Sequence, residues 1–244
     1  MMHKFFEYAS YALLAYIVIR AFKTGTMRGF FRSCAAMFKG RRNILRLCCL
    51  LAMTMILIFL FDAKIDEHFC RIGFLGGFFR ITNKFGDGRY LYPALSGLFL
   101  VSLLLNDRRP SRLISLSAVS SLFSGAAAQI VKFITHRAKP YITGEPLDFF
   151  RFDLSSAAGR LWKIDYKSYP SGHSIIIFAA VFPLILSVKS KVLRVTLFLI
   201  ALSASLARVY LRKHWFSDIF AAGILAYWFS KVLFEINKEC IFED

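Results

Sequence analysis

Two histidines and one carboxylate stand at spacings suited to phosphoryl transfer. His173 closes a Pro-Ser-Gly-His run that begins at Pro170, and His214 and Asp218 follow about forty residues later. If this segment is helical, Asp218 shares a face with His214 and leans back toward its imidazole. A carboxylate on one ring nitrogen fixes the tautomer while the other nitrogen attacks phosphorus. We therefore expect His214 to be the nucleophile, Asp218 its partner, and His173 the general acid for the leaving alkoxide.

Basic residues and a predicted helix start could hold the phosphoryl group beside these side chains. Three cations are expected to neutralise charge on the equatorial phosphoryl oxygens. They are Lys132, Lys139 and Arg208. Pro170 suits the first turn of a helix, where Ser171 and Gly172 are expected to leave free backbone N–H groups. The sequence thus predicts an anion site made of three cations and a helix N-terminus.

The composition places these residues in a membrane protein. Of the 244 residues, 57% are hydrophobic and 27 are phenylalanine, whereas soluble domains contain about 45 to 50% apolar residues. A net charge of +17 is compatible with nucleic-acid binding. However, the basic residues separate apolar runs and form no continuous basic helix. We therefore expect no nucleic-acid partner, and membrane phosphates as the partner of this charge.

Six apolar stretches qualify as membrane-spanning helices that continue into charged residues at their ends. They are 44–61, 91–105, 113–131, 173–188, 194–208 and 215–232. By the positive-inside rule, we expect the basic segments 20–46, 106–112 and 189–194 in the cytoplasm, and 62–90 and 132–172 outside. The residues suited to phosphoryl transfer then meet at the outer ends of the helices.

The N-terminal region holds a further apolar run. Within residues 5–22, the charges of Glu7 and Arg20 bound an apolar core that is short for a membrane-spanning helix. We expect an extra helix that is re-entrant or lies in the interface, with a seventh span as the alternative. The predicted fold is an all-α membrane protein. Residues 1–43 carry the N-terminal hydrophobic helix and a basic cytoplasmic linker, and residues 44–244 form a six-helix domain.

Taken together, the motifs resemble those of the type 2 phosphatidic acid phosphatase superfamily. Its signature is Lys-(six)-Arg-Pro, then Pro-Ser-Gly-His, then Ser-Arg-(five)-His-(three)-Asp. The matching positions here are Lys132 with Lys139-Pro140, Pro170-Ser171-Gly172-His173, and Ala207-Arg208 with His214 and Asp218. The resemblance extends over about residues 86–232 and includes the spacing and the membrane placement.

Two positions depart from the signature. Lys139 stands where the family has arginine, so a point charge replaces a bidentate fork and weaker phosphate affinity is expected. Arg137 could compensate if its loop is irregular; otherwise we interpret Arg137 and His136 as loop residues at the membrane interface. Ala207 replaces a serine of minor contact. Because the nucleophile, its carboxylate and the acid are all present, an active enzyme is expected.

The resemblance implies a phosphoric monoester hydrolase that forms a phosphohistidine and needs no metal or cofactor. Its substrate would be an anionic phospholipid or glycolipid at the periplasmic face of a bacterial inner membrane. Likeness to bacterial members that act on lipopolysaccharide favours lipid A, at the 1-phosphate. The alternatives are undecaprenyl diphosphate, phosphatidylglycerol phosphate or phosphatidate as substrate, a lipid-to-lipid phosphotransferase, and a non-enzymatic binder or transporter of anionic lipids.

Other residues are assigned no chemistry from the sequence. The five cysteines, Cys70 among them, show no metal-ligand spacing, and no cluster typical of a metal site lies near the motifs. The turn Gly86-Asp87-Gly88 is predicted to enter the second span, with a place at the substrate entrance as the alternative. Trp215 and Tyr169 are interpreted as members of an interfacial aromatic belt.

Overall fold

Each predicted apolar stretch is helical in the computed structural model, which describes residues 12–19, 41–70, 72–150 and 164–242 and has no β-strand in those ranges. The helices are α1 (12–19), α2 (Arg41–Leu57), α3 (Ala63–Phe69), α4 (Gly76–Thr82), α5 (Gly88–Leu104), α6 (Arg108–Thr135), α7 (Pro140–Thr143), α8 (Gly172–Ser187), α9 (Lys191–Tyr210) and α10 (Phe216–Phe242). A π-helical turn, Ile58–Asp62, joins α2 to α3, and 3₁₀ turns occupy Gly73–Leu75, Asn83–Gly86 and Ile164–Tyr166.

Three helical segments have the length and hydropathy needed to cross a membrane, so the chain is a membrane protein. Within the described ranges they are Arg108–Thr143, Lys191–Tyr210 and Phe216–Glu239. Gly88–Leu104 and Gly172–Ser187 are apolar but shorter. The all-helical class is confirmed, while the count of six spans and the sidedness of the loops stay predictions.

Side-chain caps determine where three of these helices begin. The Asp87 carboxylate accepts the N–H of Arg89 at 3.0 Å at the start of α5. Ser171 caps α8 and Ser190 caps α9, each accepting an N–H at 3.4 Å. Such caps satisfy N–H groups that the first helical turn leaves without partners. The turn Gly86-Asp87-Gly88 is therefore a helix entry, as predicted.

Small residues allow α6, α8 and α10 to pack closely around a shared core. The Ser120 hydroxyl lies 2.8 Å from that of Ser230 on α10, and the Ser121 hydroxyl donates to the Ile176 carbonyl on α8 at 2.9 Å. A side chain at Gly125 would come within 3.1 Å of Ile176. Such close approach is typical of membrane helices, and it aligns the end of α6 with the start of α8.

The N-terminal helix α1 packs into this core. Leu14 and Ile17 are buried in one apolar cluster with residues of α5, α6 and α10. The rest of the predicted helix within 5–22, and most of the linker, lie outside the described residues. The extra helix and the domain boundary at residue 43 therefore stay predictions.

Candidate active site

The turn that ends α6 directs the following residues into the protein. His136 adopts the left-handed backbone conformation, with φ 40°, and its N–H donates to the Lys132 carbonyl at 3.1 Å. After this turn, Ala138 and Lys139 pair through their N–H groups with carbonyls of the loop that leads to α8. His136 and Arg137 become 1% and 0% exposed. Their interpretation as interfacial loop residues is wrong, because the irregular turn points them inward.

The structure brings His214 and Asp218 together at the start of α10. Oδ2 of Asp218 accepts the N–H of Trp215 at 2.9 Å and lies 3.4 Å from Nδ1 of His214. The carboxylate thus binds an N–H group of the helix start and also faces the imidazole. This is the arrangement that the four-residue spacing predicts.

The hydrogen bonds of His214 assign its tautomer. Nδ1 lies 2.9 Å from the backbone carbonyl of Ser168, and because a carbonyl can only accept, Nδ1 carries the hydrogen. Nε2 is then the nitrogen with a free lone pair. Burial lowers the pKa of His214 to about 3, outweighing the opposite effect of the Asp218 carboxylate. The imidazole is therefore neutral near pH 7, as a nucleophile must be.

Ser168 is a site residue that the sequence motifs do not include. Its hydroxyl donates to Oδ2 of Asp218 at 2.5 Å, and its own N–H donates to the Arg137 carbonyl at 3.0 Å. The side chain is fully buried. Ser168 therefore holds both members of the pair, Asp218 through its hydroxyl and His214 through its carbonyl.

Arg137 reaches the same carboxylate from the opposite side. Its Nη1 lies 2.5 Å from Oδ1 of Asp218, and its Nη2 lies 2.7 Å from Oδ2 of Asp62. The hydroxyl of Ser217 contacts both Arg137 and Asp62. Arg137 thus binds carboxylates and does not replace the fork that Lys139 lacks. The sequence does contain one signal for Asp62, a carboxylate that directly follows an apolar run.

Aromatic rings enclose the Arg137 guanidinium. Its carbon Cζ lies 4.8 Å from the centroid of Phe149 and 5.3 Å from that of Trp215. Trp215 is 1% exposed and its indole N–H donates to the Ala138 carbonyl at 2.9 Å. The aromatic-belt interpretation is wrong for Trp215, which packs in the interior, and Tyr169 is half-buried against Phe149. The rings exclude water from the ion pairs.

Lys132 lies directly against the start of α8. A Cβ atom at Gly172 would come within 2.9 Å of the Lys132 Nζ atom. A side chain at this place would force the ammonium to shift. Lys132 is 9% exposed and close enough to Asp218, Lys139 and Arg208 to interact electrostatically with each. The structure therefore brings the first predicted cation beside the predicted nucleophile.

Arg208 and Lys139 line one cavity of about 790 Å³ next to this point. Nη1 of Arg208 donates to the side-chain oxygen of Asn83 at 3.2 Å, while its buried Nε has no partner among the described residues. Nζ of Lys139 lies 4.0 Å from Asp165. Arg212 and Lys213 line the same cavity, so its wall carries more positive than negative charge.

The predicted N–H groups at the start of α8 are only partly free. The N–H of Ser171 donates to the Asp218 carbonyl at 3.1 Å, and its hydroxyl caps the helix. The expectation of a free N–H on Ser171 is therefore wrong. The N–H of Gly172 has no hydrogen-bond partner among the described residues, as expected for the first turn of a helix. Ser171 fixes the helix start, and Gly172 leaves its N–H for an anion.

His173 is held by a residue that lies outside the recognised motifs. Its Nε2 is 2.7 Å from the backbone carbonyl of Asn83, so that nitrogen carries a hydrogen. Nδ1 is left as the position that can exchange a proton. A Cβ at Gly86 would come within 2.7 Å of the His173 ring, so the 3₁₀ turn Asn83–Gly86 packs directly on the imidazole.

No group of three or more His, Cys, Asp or Glu side chains converges on a common point within the described ranges. The site is built from one carboxylate-held histidine, a second histidine and several cations. Such a set can take up a phosphoryl group on nitrogen and neutralise its charge. Metal independence stays a prediction.

Comparison with known proteins identifies one family. The model of the PAP2 superfamily matches residues 95–241, more than half of the 244 residues. The match contains the whole set of predicted site residues. No curated protein and no solved structure matches the chain.

Proposed function

Because the chain belongs to the PAP2 superfamily, a family of phosphatases, we propose that it is a membrane lipid phosphatase that works through a phosphohistidine at His214. It removes a phosphate from an anionic lipid at the outer face of the inner membrane. Asp218 is the partner of the nucleophile, and His173 is the general acid for the leaving alkoxide. The phosphate is bound by Lys132, Lys139, Arg208 and the start of α8.

The observation that carries this proposal is the tautomer of His214. Its Nδ1 donates a hydrogen bond to the Ser168 carbonyl at 2.9 Å, and the Asp218 carboxylate lies 3.4 Å from the same nitrogen. The lone pair of Nε2 is therefore available, and the buried carboxylate stabilises the positive charge that the ring acquires on attack. A protein that only bound anionic lipids would need the cations but not this arrangement.

In the first step, Nε2 of His214 forms a bond to phosphorus while the bond from phosphorus to the lipid oxygen breaks. The departing alkoxide takes a proton from Nδ1 of His173, whose protonated form is favoured by the negative charge of the bound phosphate. In the second step, water attacks phosphorus, the N–P bond breaks, and inorganic phosphate leaves. The water proton returns to Nδ1 of His173, which restores both histidines.

The cations act on the charge of the phosphoryl group. Lys132 lies at the helix start beside the predicted nucleophile, and Arg208 and Lys139 line the adjoining cavity. Fixed donors of this kind stabilise charge that develops on the equatorial oxygens without reorganising during the reaction. A point charge at Lys139 is expected to support turnover with weaker phosphate affinity.

The substrate that we propose to test first is lipid A with a 1-phosphate. The segment between α3 and α5 borders the cavity through Cys70, α7 through Tyr141, and the segment between α7 and α8 through Asp165. A glycolipid head group bearing negative charge suits its basic wall. Undecaprenyl diphosphate, phosphatidylglycerol phosphate and phosphatidate are the comparison substrates.

Phosphate release by the purified protein tests the function. Each lipid is presented in mixed micelles to the wild type and to His214→Ala, and free phosphate is followed. We expect release by the wild type alone, unaffected by chelator and blocked by vanadate, which resembles pentacoordinate phosphorus. Transfer of phosphate to a second lipid without release would identify a phosphotransferase. Chelator inhibition that a divalent ion reverses would contradict the mechanism.

The outward orientation needs a separate test. Cys70 is a poor reporter because burial raises the pKa of its thiol to about 11, and the thiolate is the reactive form. Glu145 is exposed in the predicted outer loop and Lys189 in a predicted cytoplasmic turn. In spheroplasts, an impermeant maleimide should label Glu145→Cys directly and Lys189→Cys only after permeabilisation. The reverse pattern would place the site in the cytoplasm.

A further inference from the structure

A buried arginine joins the predicted catalytic carboxylate to a second carboxylate on a different helix. Arg137, Asp62 and Asp218 are all completely buried side chains, and Arg137 pairs with both acids at 2.7 and 2.5 Å. Asp62 comes from the π-helical turn after α2, outside the residues matched by the family model. Such π-helical turns are frequent at functional sites. The N-terminal part of the chain therefore reaches the site through an ion pair.

Asp62 is held as firmly as Asp218. Its Oδ1 accepts the N–H of Ser217 at 2.8 Å, and its Oδ2 accepts the hydroxyl of the same residue at 2.5 Å. Ser217 is the neighbour of Asp218 in the chain. Asp62 thus holds the first turn of α10 and the guanidinium at the same time, and a shift of Asp62 would move both groups that surround Asp218.

The charges of the three groups show what the second acid contributes. Asp218 and Arg137 alone would form a neutral pair, and the guanidinium would weaken the negative potential at His214. With Asp62 ionised, the net charge of the three side chains is one negative. That charge matches the single positive charge that the His214 ring gains when its nitrogen bonds phosphorus.

We propose that Asp62 is a positioning residue that acts through Arg137: it offsets the charge of the guanidinium, so that the potential at His214 stays negative, and it keeps Asp218 correctly aimed at His214. This inference rests on the proposed function, because it concerns the charge of the phosphohistidine. Asp62 touches neither His214 nor the cationic cavity. It is therefore expected to affect the rate of phosphoryl transfer and to leave substrate binding unchanged.

The first test is Asp62→Asn, which keeps the shape of the side chain but removes its charge. We expect kcat and the single-turnover rate of phosphoenzyme formation to fall by about 10- to 100-fold, the effect of removing a unit charge within the protein interior. KM should stay within about twofold of the wild type. Glu67→Gln is the matched control, because Glu67 is an exposed acid on α3, and its kcat should not change.

A double variant distinguishes an electrostatic role of Asp62 from a purely structural one. Asp62→Asn leaves Asp218 and Arg137 as a neutral pair, whereas Asp62→Asn with Arg137→Gln leaves Asp218 alone with one negative charge. If charge matters, the double variant recovers much of the rate lost in Asp62→Asn. If Asp62 only fastens α2 to α10, the double variant is as slow as the single one or slower. Thermal unfolding in detergent shows which fraction is folded, and rates are normalised to it.

Three outcomes are distinct. Wild-type kcat in folded Asp62→Asn overturns the inference and leaves the phosphatase proposal intact. A slow double variant overturns the charge argument. Absence of phosphate release by the wild type on every lipid and on p-nitrophenyl phosphate rejects the proposed function itself.

Discussion

The buried pair of His214 and Asp218 differs from the cationic cavity lined by Arg208 and Lys139 in how its polar groups are satisfied. Around Asp218, both oxygens receive donors, from Arg137 on one side and from Ser168 and Trp215 on the other. Beside the cavity, the Lys132 ammonium has no hydrogen bond among the described residues, and the Arg208 guanidinium has one, to Asn83. One region is saturated with protein contacts and the other is not.

The two regions have different tasks in catalysis. A nucleophile benefits from a fixed tautomer and orientation before substrate arrives, so its partners are supplied by the protein. A phosphate-binding group must keep donors for the substrate, and buried donors without partners are costly until an anion binds. Substitutions in the first region should lower kcat, and substitutions in the second should weaken binding.

The largest effect is expected at the nucleophile. His214→Ala should lower turnover by at least about 10⁴-fold on every substrate, since no other side chain can take the phosphoryl group. The acid-labile phosphoenzyme trapped from radiolabelled substrate should disappear. Phosphoenzyme formed without His214 would contradict its assignment.

The next effect separates the general acid from the nucleophile. His173→Ala should lower kcat by about 10² to 10⁴ on a lipid phosphate, because the alkoxide then leaves without a proton. On p-nitrophenyl phosphate, whose leaving group needs little protonation, much of the rate should return. If His173→Ala and His214→Ala are equally inactive on both substrates, the assignment of His173 as the general acid is wrong.

A smaller effect is expected where the cation meets the helix start. Gly172→Ala places a methyl group where the Lys132 ammonium lies, so the lysine must move. We expect vanadate binding and kcat/KM to weaken by about tenfold, the loss of roughly one charged hydrogen bond. Gly97→Ala is the control, since nothing lies within 4 Å of the added Cβ. Unchanged vanadate affinity in Gly172→Ala would remove Lys132 from the phosphate site.

Restoring the family arginine at position 139 should strengthen substrate binding. Lys139→Arg supplies a bidentate fork in the cavity wall, and KM should fall by about two- to fivefold with kcat nearly constant. Lys213→Arg changes an exposed lysine of the same cavity and should have no such effect. A change confined to kcat would show that Lys139 belongs to the reacting centre instead.

A separate effect, on stability and not on kinetics, concerns pH. Because burial lowers the pKa of His214 to about 3, below the ordinary value of about 6.5, the unfolded chain binds a proton there that the folded protein does not. His214 therefore lowers the free energy of unfolding as the pH falls from about 6.5 toward 4. The thermal midpoint in detergent should drop more steeply over this range for the wild type than for His214→Gln. Equal slopes would mean that His214 is not buried as a neutral ring.

The sequence predicts the contact between His214 and Asp218 but not most of the contacts that surround it. Spacing alone was sufficient to place Asp218 one turn after His214, because the geometry of a single helix decides that contact. The prediction that the N–H of Ser171 is free is wrong, because this N–H donates to the Asp218 carbonyl, 47 positions along the chain. The same limit applies to Ser168 and Asn83, which position His214 and His173 through backbone carbonyls that no residue type encodes.

Arg137 shows the physical reason most clearly. By itself, the sequence determines a helical membrane protein with two histidines, one carboxylate and three cations at family spacing. Whether Arg137 points to the interface or into the core depends on one left-handed residue, His136, and on two acids from α10 and the turn after α2. A buried charge is tolerated only where partners from distant segments meet it, and that meeting is decided by the packing of the helices.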